Sequence, residues 1–202
     1  MPLTLKIKHL AGLIKNKNIV ETKEYIKTNS DLISSYVNSD SKRTIFHFLC
    51  SNFNNEEDII KFTLNLVQDE ELDTILNIRD IYGETPLFDA IWTHNLNTFK
   101  VLVEYGADTK VRNIYGETLL HTAAQKKTLN EQFKCLLEIA PDLKDKRSGI
   151  GWTPLRAAAM SNQIENVKIL LEYGSKIDFD IKTIKDLNIR NYLGEYQDLP
   201  SY

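Results

Sequence analysis

The residues of this chain that could do metal chemistry lie between positions 47 and 71. His47 and Cys50 are spaced i, i+3, so both side chains would lie on one face of a helix, as in half of a zinc site. Runs of three acidic residues follow at 56–58 and 69–71. A metal-dependent enzyme that uses the acidic runs is therefore one alternative for the function.

The same residues have a simpler structural explanation. No second ligand pair accompanies His47 and Cys50, and neither acidic run has the ligand spacing of a calcium loop. The chain also contains no pairing of a nucleophile with a base that would indicate covalent catalysis. We therefore expect no catalytic residue, no metal site and no cofactor, and we interpret the acidic runs as solvated surface.

The amino-acid composition argues against some classes of binding partner. The 202 residues carry a net charge of −3 with both signs interspersed, which argues against electrostatic binding to nucleic acid or to a membrane. Cys50 and Cys135 stand in unrelated contexts, as expected in a reducing compartment. The first 17 residues contain no uninterrupted apolar run, so neither a signal peptide nor a membrane span is visible. We expect a cytoplasmic protein, or one found in a host cytoplasm or nucleus if it is an effector.

A short internal repeat determines how the rest of the chain is interpreted. Ile-Tyr-Gly-Glu-Thr occupies residues 81–85 and recurs thirty-three residues later at 114–118. A period in the thirties is typical of stacked supersecondary units, each too small to bury its own apolar faces.

Local signals predict that each unit is a tight turn followed by two helices. Thr85-Pro86 and Thr153-Pro154 each place a capping hydroxyl before a proline at the first helical position. Apolar residues then recur at helical spacing, at 87, 90 and 91 and again at 96, 99, 102 and 103. Gly106 and Gly174 stand where a helix needs a left-handed residue to end.

Asp80-x-x-Gly-x-Thr-Pro-Leu87, with Ala90, Leu102-Val103 and Gly106-Ala107-Asp108, resembles the ankyrin repeat. Gly151-Trp-Thr-Pro-Leu155, with Ala158-Ala159, Leu170-Leu171 and Gly174-Ser175, resembles it equally, and the resemblance is specific over residues 80–178. It implies an all-α ankyrin-repeat solenoid of about five helix-turn-helix repeats with short β-turn tips and a C-terminal capping helix. We expect one domain over 1–202, with repeats at about 5–37 (a degenerate cap), 38–78 (with insertions), 79–111, 112–145 and 146–178, and a cap and tail at 179–202.

The resemblance also assigns His47 and His121 a structural position, where the imidazole bridges the capping threonine and the neighbouring backbone. The second repeat is longer than the basic period, and the extra residues fall within 52–58 and 68–73. Longer loops or extended helix ends would accommodate them. These insertions are either partner contacts or tolerated loop variation, and Leu199-Pro200 in the tail is a possible docking point on the last repeat.

In ankyrin-like stacks, partners bind the turn tips and the exposed positions of the first helices. Carried over residue by residue, the predicted partner contacts are Ile81, Tyr82, Glu84, Asp89, Trp92, Ile114, Tyr115, Glu117, Thr122, Gln125, Lys126, Trp152 and Met160. The same positions also include Thr93, Ile150, Ala157 and Ser161. Aromatic residues and Met are enriched in this set, as in the cores of protein interfaces. The alternative is that Tyr82 and Tyr115 pack against each other along the stack.

We expect a non-catalytic protein–protein interaction module that acts as an adaptor or as a masking inhibitor, monomeric on its own, with no nucleic-acid or membrane partner. One alternative is a viral or bacterial effector that mimics a host ankyrin-type inhibitor of a transcription factor. The chain's richness in lysine and asparagine motivates that alternative.

Overall fold

The computed structural model of the chain describes residues 2–38, 40–52, 57–127 and 130–198. They are mostly helical and divide into two compact units, Met1–Ile114 and Tyr115–Tyr202. Most of the first insertion, the position near Thr128 where the fourth repeat gains a residue, and the Leu199-Pro200 docking point lie outside the described residues.

The first unit pairs successive helices and contains one short antiparallel ladder. Its elements are α1 (Leu3–Lys15), α2 (Ile19–Thr28), β1 (Tyr36–Asn38), β2 (Arg43–Thr44), α3 (Ile45–Asn52), α4 (Glu57–Leu64), α5 (Asp69–Asn77), α6 (Pro86–Trp92) and α7 (Leu96–Glu104). In β1 and β2, Tyr36 pairs with Thr44. The first helix of each repeat packs on the next, α1 on α3 and α3 on α6, while α2, α4 and α7 pack as a second row. Phe46, Phe88 and Phe99 are fully buried.

The second unit repeats this arrangement and ends in a capping helix. Its helices are α8 (Leu119–Ala124), α9 (Asn130–Ile139), α10 (Pro154–Met160), α11 (Ile164–Glu172) and α12 (Leu187–Gln197). α8 packs on α10 and α9 on α11, again as two rows. α12 buries Ile189 and Leu193, and its Tyr196 hydroxyl donates to the Leu171 carbonyl at 3.1 Å. The predicted all-α ankyrin-repeat fold with a C-terminal capping helix is confirmed.

Glycine ends the second helices as the local pattern predicts. The Gly106 N–H donates to the Val103 carbonyl and the Ala107 N–H to the Leu102 carbonyl, which is the pairing of a Schellman motif. Gly106 has φ +96°, a conformation that a side chain would strain. Gly174 and Ser175 end α11 with the same two bonds.

The extra length of the second repeat forms a separate helix, α5, and not only longer loops or extended helix ends. Its first turn carries three carboxylates, which the positive end of the helix dipole stabilises. Ile75 and Leu76 are buried, and α5 packs on α6. The insertion thus adds its own apolar face to the first unit.

Two glycines of the second unit differ in how closely another part of the backbone approaches them. Both have positive φ, +70° at Gly116 and +79° at Gly151. A Cβ added to Gly116 would lie 2.7 Å from the Gly149 nitrogen, whereas a Cβ added to Gly151 would have no neighbouring atom within 4 Å. We predict that Gly151→Ala lowers the free energy of unfolding by about 1 kcal/mol. Gly116→Ala should cost about 3 kcal/mol or more, because the Gly149 backbone must also move.

Urea titration in a Trp92→Phe background isolates this effect, since Trp152 then reports alone on the second unit. Equal midpoints for the two alanine variants would show that the close approach at Gly116 does not constrain the fold.

Candidate functional site

A buried carboxylate builds the turn tip of the third repeat. Asp80 is 6% exposed, and its Oδ1 accepts the backbone N–H groups of Tyr82 at 2.8 Å and of Glu84 at 2.9 Å. The Gly83 N–H donates to the Asp80 carbonyl at 3.0 Å and closes the turn. The side chains of Ile81 and Tyr82, at the tip of this turn, are 40% and 47% exposed.

A backbone hydrogen bond joins each tip to the one before it. In the first unit, the Ile81 N–H donates to the Ser41 carbonyl at 3.0 Å and the Ile114 N–H to the Tyr82 carbonyl at 2.8 Å. In the second unit, the Gly149 N–H donates to the Tyr115 carbonyl at 2.8 Å. These bonds, which we call the tip ladder, hold successive tips side by side within each unit.

The first unit therefore presents an exposed apolar surface, defined here as the first tip surface: Ile81, Tyr82, Trp92 and Ile114. Ile114 is 61% exposed and Trp92 is 42% exposed. The Trp92 indole Nε1 donates to Glu84 Oε2 at 3.1 Å, and Glu84 Oε1 accepts from the Asn113 amide at 3.4 Å. Partial burial raises the pKa of the Glu84 carboxyl. The Trp92 ring is thus held in place while much of it faces solvent.

The second unit repeats the pattern with other side chains. Tyr115 is 59% exposed and Ile150 is 72% exposed on adjacent tips. Gln125 Nε2 donates to Glu117 Oε1 at 2.8 Å, the same relation as that of Trp92 to Glu84. Three other predicted contacts of this unit, Lys126, Trp152 and Met160, are half-buried.

Two of the predicted contacts do not face solvent, which corrects the expectation that they are exposed. Asp89 is 4% exposed, its Oδ1 accepts from the Arg43 guanidinium at 2.5 Å, and burial raises its pKa to about 7. Thr122 is 3% exposed within α8, every residue of which is buried. Neither side chain can touch a partner without rearrangement. Ala157 is also buried.

The histidines bridge the capping threonine and the neighbouring backbone as predicted. His47 Nδ1 accepts the Thr44 backbone N–H at 3.2 Å and lies 2.9 Å from Thr44 Oγ1, so the proton is on Nε2, which donates to the Glu84 carbonyl at 3.2 Å. His121 forms the same bonds with Thr118 and with the Trp152 carbonyl. Sequence reasoning did not find that this second bond reaches the next repeat.

These bonds leave His47 no ring lone pair for a metal ion. Burial also raises the pKa of the Cys50 thiol, which disfavours the thiolate that a metal would need. No group of three or more His, Cys, Asp and Glu side chains within the described ranges could hold a metal ion. Glu56, in the first acidic run, lies outside those ranges. Across the same ranges, no helix has both the length and the apolar character needed to span a bilayer.

Two protein-family models match the chain. Both describe ankyrin repeats, one for three copies over residues 106–183 and one for many copies over residues 67–123. Neither model describes an enzyme.

Three curated proteins illustrate the similarity. The chain is 27% identical to Protein glp-1 of Caenorhabditis elegans over 75% of its own length and 12% of that protein. It is 23% identical to the Nuclear factor NF-kappa-B p105 subunit of Gallus gallus over 70% of the chain and 14% of that protein. It is 25% identical to the putative ankyrin repeat protein FPV031 of Fowlpox virus over 89% of the chain and 56% of that protein. The chain therefore spans less than two thirds of each of these relatives.

The buried His47 bridge predicts a pH dependence of stability. Desolvation lowers the pKa of His47 from 6.5 to about 4 in the folded chain. Between these values the unfolded chain binds a proton that the folded chain does not, so stability falls as the pH falls from about 6.5 to about 4. The contribution of His47 to the free energy of unfolding should shrink by about 3 kcal/mol over that interval.

The measurement is the difference in the free energy of unfolding between the wild type and His47→Gln at a series of pH values. The subtraction removes the opposite contribution of Asp89, whose raised pKa acts in the same interval. His9→Gln, at an exposed position, is the control for loss of an imidazole. A difference that stays constant with pH would contradict the prediction.

Proposed function

The chain belongs to the ankyrin repeat family, whose repeats generally mediate protein–protein interactions, and we propose that it is a non-catalytic protein-binding module. It would work as an adaptor or as an inhibitor that masks the surface of its target. We propose that it does so as a monomer and in the cytoplasm.

The observation that carries this proposal is the exposure of large apolar side chains at successive tips. Ile81, Tyr82 and Ile114 are each at least 40% exposed in the first unit, as are Tyr115 and Ile150 in the second. Placing such side chains in water is unfavourable, and clusters of them are typical of interaction sites. The backbone of the tips is already hydrogen-bonded, so a partner would bind these side chains without first having to order the turns.

Trp92 is the strongest candidate for a binding hot spot in the first tip surface. Tryptophan is enriched among the residues that dominate binding energy. The bond from its indole N–H to Glu84 fixes the ring before a partner arrives, which lowers the entropy lost on binding. We therefore expect the partner to place an apolar surface over the exposed part of the Trp92 ring.

The test is affinity capture from cells of the source organism with the wild-type chain and two matched double variants. Tyr82→Ala/Trp92→Ala removes two members of the first tip surface. Leu3→Ala/Val20→Ala removes apolar side chains that are 57% and 74% exposed elsewhere in the same unit. Proteins retained by the wild type and by the control should bind the tip variant more than about ten-fold more weakly.

Both variants should keep the helical circular dichroism spectrum and a cooperative melt. If the same proteins bind the tip variant as tightly as they bind the control, the first tip surface is not where they dock.

A second candidate function is that of a viral or bacterial effector that imitates a host ankyrin-type inhibitor of a transcription factor. Two similarities favour it: the match to the Fowlpox virus protein covers 89% of the chain, and another match is to a subunit of the nuclear factor NF-kappa-B. We propose that, in this case, the tip surfaces would contact the transcription factor itself.

Expression of the chain in vertebrate cells tests this second candidate. Coprecipitation with NF-kappa-B and a several-fold lower signal from an NF-kappa-B reporter are expected, and Tyr82→Ala/Trp92→Ala should abolish both effects. An unchanged reporter together with no coprecipitation would reject this target while leaving the broader protein-binding proposal intact.

A further inference from the structure

A cleft in the first unit lies apart from the tip residues. It is bounded by residues 30–34, by the chain after α4 and by the beginning of α5, and its volume is about 360 Å³. Its apolar lining consists of the buried Ile33 and Ile75 with the half-buried Leu66 and Val67. A volume at the lower end of the range for ligand sites admits one side chain and not a folded element.

The charged side chains that line the cleft are both acidic, Asp31 and Glu71. The hydroxyls of Ser30 and Ser34 and the amide of Gln68 complete the polar lining. None of the lining residues, all of which are described, is a lysine, arginine or histidine. Within the described ranges, neither carboxylate forms a salt bridge. The cleft thus combines two unpaired negative charges with an apolar wall.

We propose that this cleft binds an arginine side chain of a protein partner. The aliphatic stem of arginine would lie on the apolar wall, as long basic side chains commonly do. The planar guanidinium has five N–H donors in a fork that matches carboxylate geometry, whereas a lysine ammonium is a compact point charge. Bonds between ionised donors and acceptors are about twice as strong as neutral ones.

Helix α5 is what makes the cleft possible. It supplies Glu71 and Ile75, and it follows from the extra length of the second repeat, since the third repeat passes from α7 to its next tip without such a helix. The insertion thereby gives this chain a contact that a repeat of regular length lacks. This proposal does not rest on the tip surfaces.

Titration of the ¹⁵N-labelled full chain with N-acetyl-arginine amide tests the proposal without any knowledge of the partner. Amide resonances of residues 30–34 and 66–75 should shift in a saturable manner. N-acetyl-citrulline amide has nearly the same shape without the charge and should bind on the order of ten-fold more weakly. Equal responses to the two compounds, or no response of these residues to either, would overturn the proposal.

Variants that neutralise one carboxylate at a time test whether the guanidinium binds at Asp31 and Glu71. Asp31→Asn and Glu71→Gln should each weaken arginine binding about two- to five-fold, as expected for a partly exposed ion pair, and the double variant should abolish the shifts. Glu70→Gln makes the same change on the same helical turn but does not line the cleft, so its affinity should match that of the wild type. If Glu70→Gln and Glu71→Gln weakened arginine binding equally, the ligand would be held only by the overall negative charge of this helix end and not by the cleft.

Two further ligands distinguish the source of the cation. N-acetyl-lysine amide should bind more weakly than the arginine compound, because its ammonium lacks the planar fork of donors that matches a carboxylate. Tighter binding of spermidine than of arginine at the same residues would show that the cleft takes a free polyamine, and would overturn the assignment to a protein partner. Since every readout is local to the cleft, failure here leaves the test of the tip surfaces unaffected.

Discussion

The tip ladder is the constraint on which the rest of this architecture depends. One backbone N–H at each described tip donates to a carbonyl of the tip before it, from Ile81 to Ser41, from Ile114 to Tyr82 and from Gly149 to Tyr115. The first of these bonds is kept even though the second repeat is longer than the third. Its extra residues must therefore be accommodated among the helices, and α5 lies there.

Buried polar groups make the ladder possible. Asp80 satisfies two N–H groups of its turn, and His47 and His121 each join a capping threonine to the backbone of the following repeat. A buried polar group without a partner costs more than an average hydrogen bond contributes, so these groups restrict each turn to one conformation. Neighbouring repeats are held in register by polar bonds as well as by the apolar faces of the helices.

Features determined by nearby residues could be predicted from the sequence, whereas features that depend on distant contacts could not. Thr-Pro helix starts, glycine stops and the contacts of the two histidines with their capping threonines each involve a few adjacent positions, and all are present. The predicted capping bond forms at Thr153 but not at Thr85. Asp89 was expected to face solvent, but Arg43, forty-six positions earlier in the chain, covers it. Helix α5 was not predicted because its first residue follows Gln68, which is not one of the preferred capping residues, so the usual start signal is missing. The exposure of Ile81, Tyr82 and Ile114 follows from the turn pattern, whereas the hydrogen bond from Trp92 to Glu84 does not follow from it.

The tip ladder is made only of main-chain atoms, and this has an evolutionary consequence. A bond between an amide and a carbonyl does not depend on which side chain the residue carries, provided that the turn itself can form. Ile81, Tyr82 and Ile114 can therefore mutate with little penalty to folding, while each change alters what the surface recognises. A lineage under pressure to follow a changing target could explore new specificities at these positions and leave the scaffold untouched.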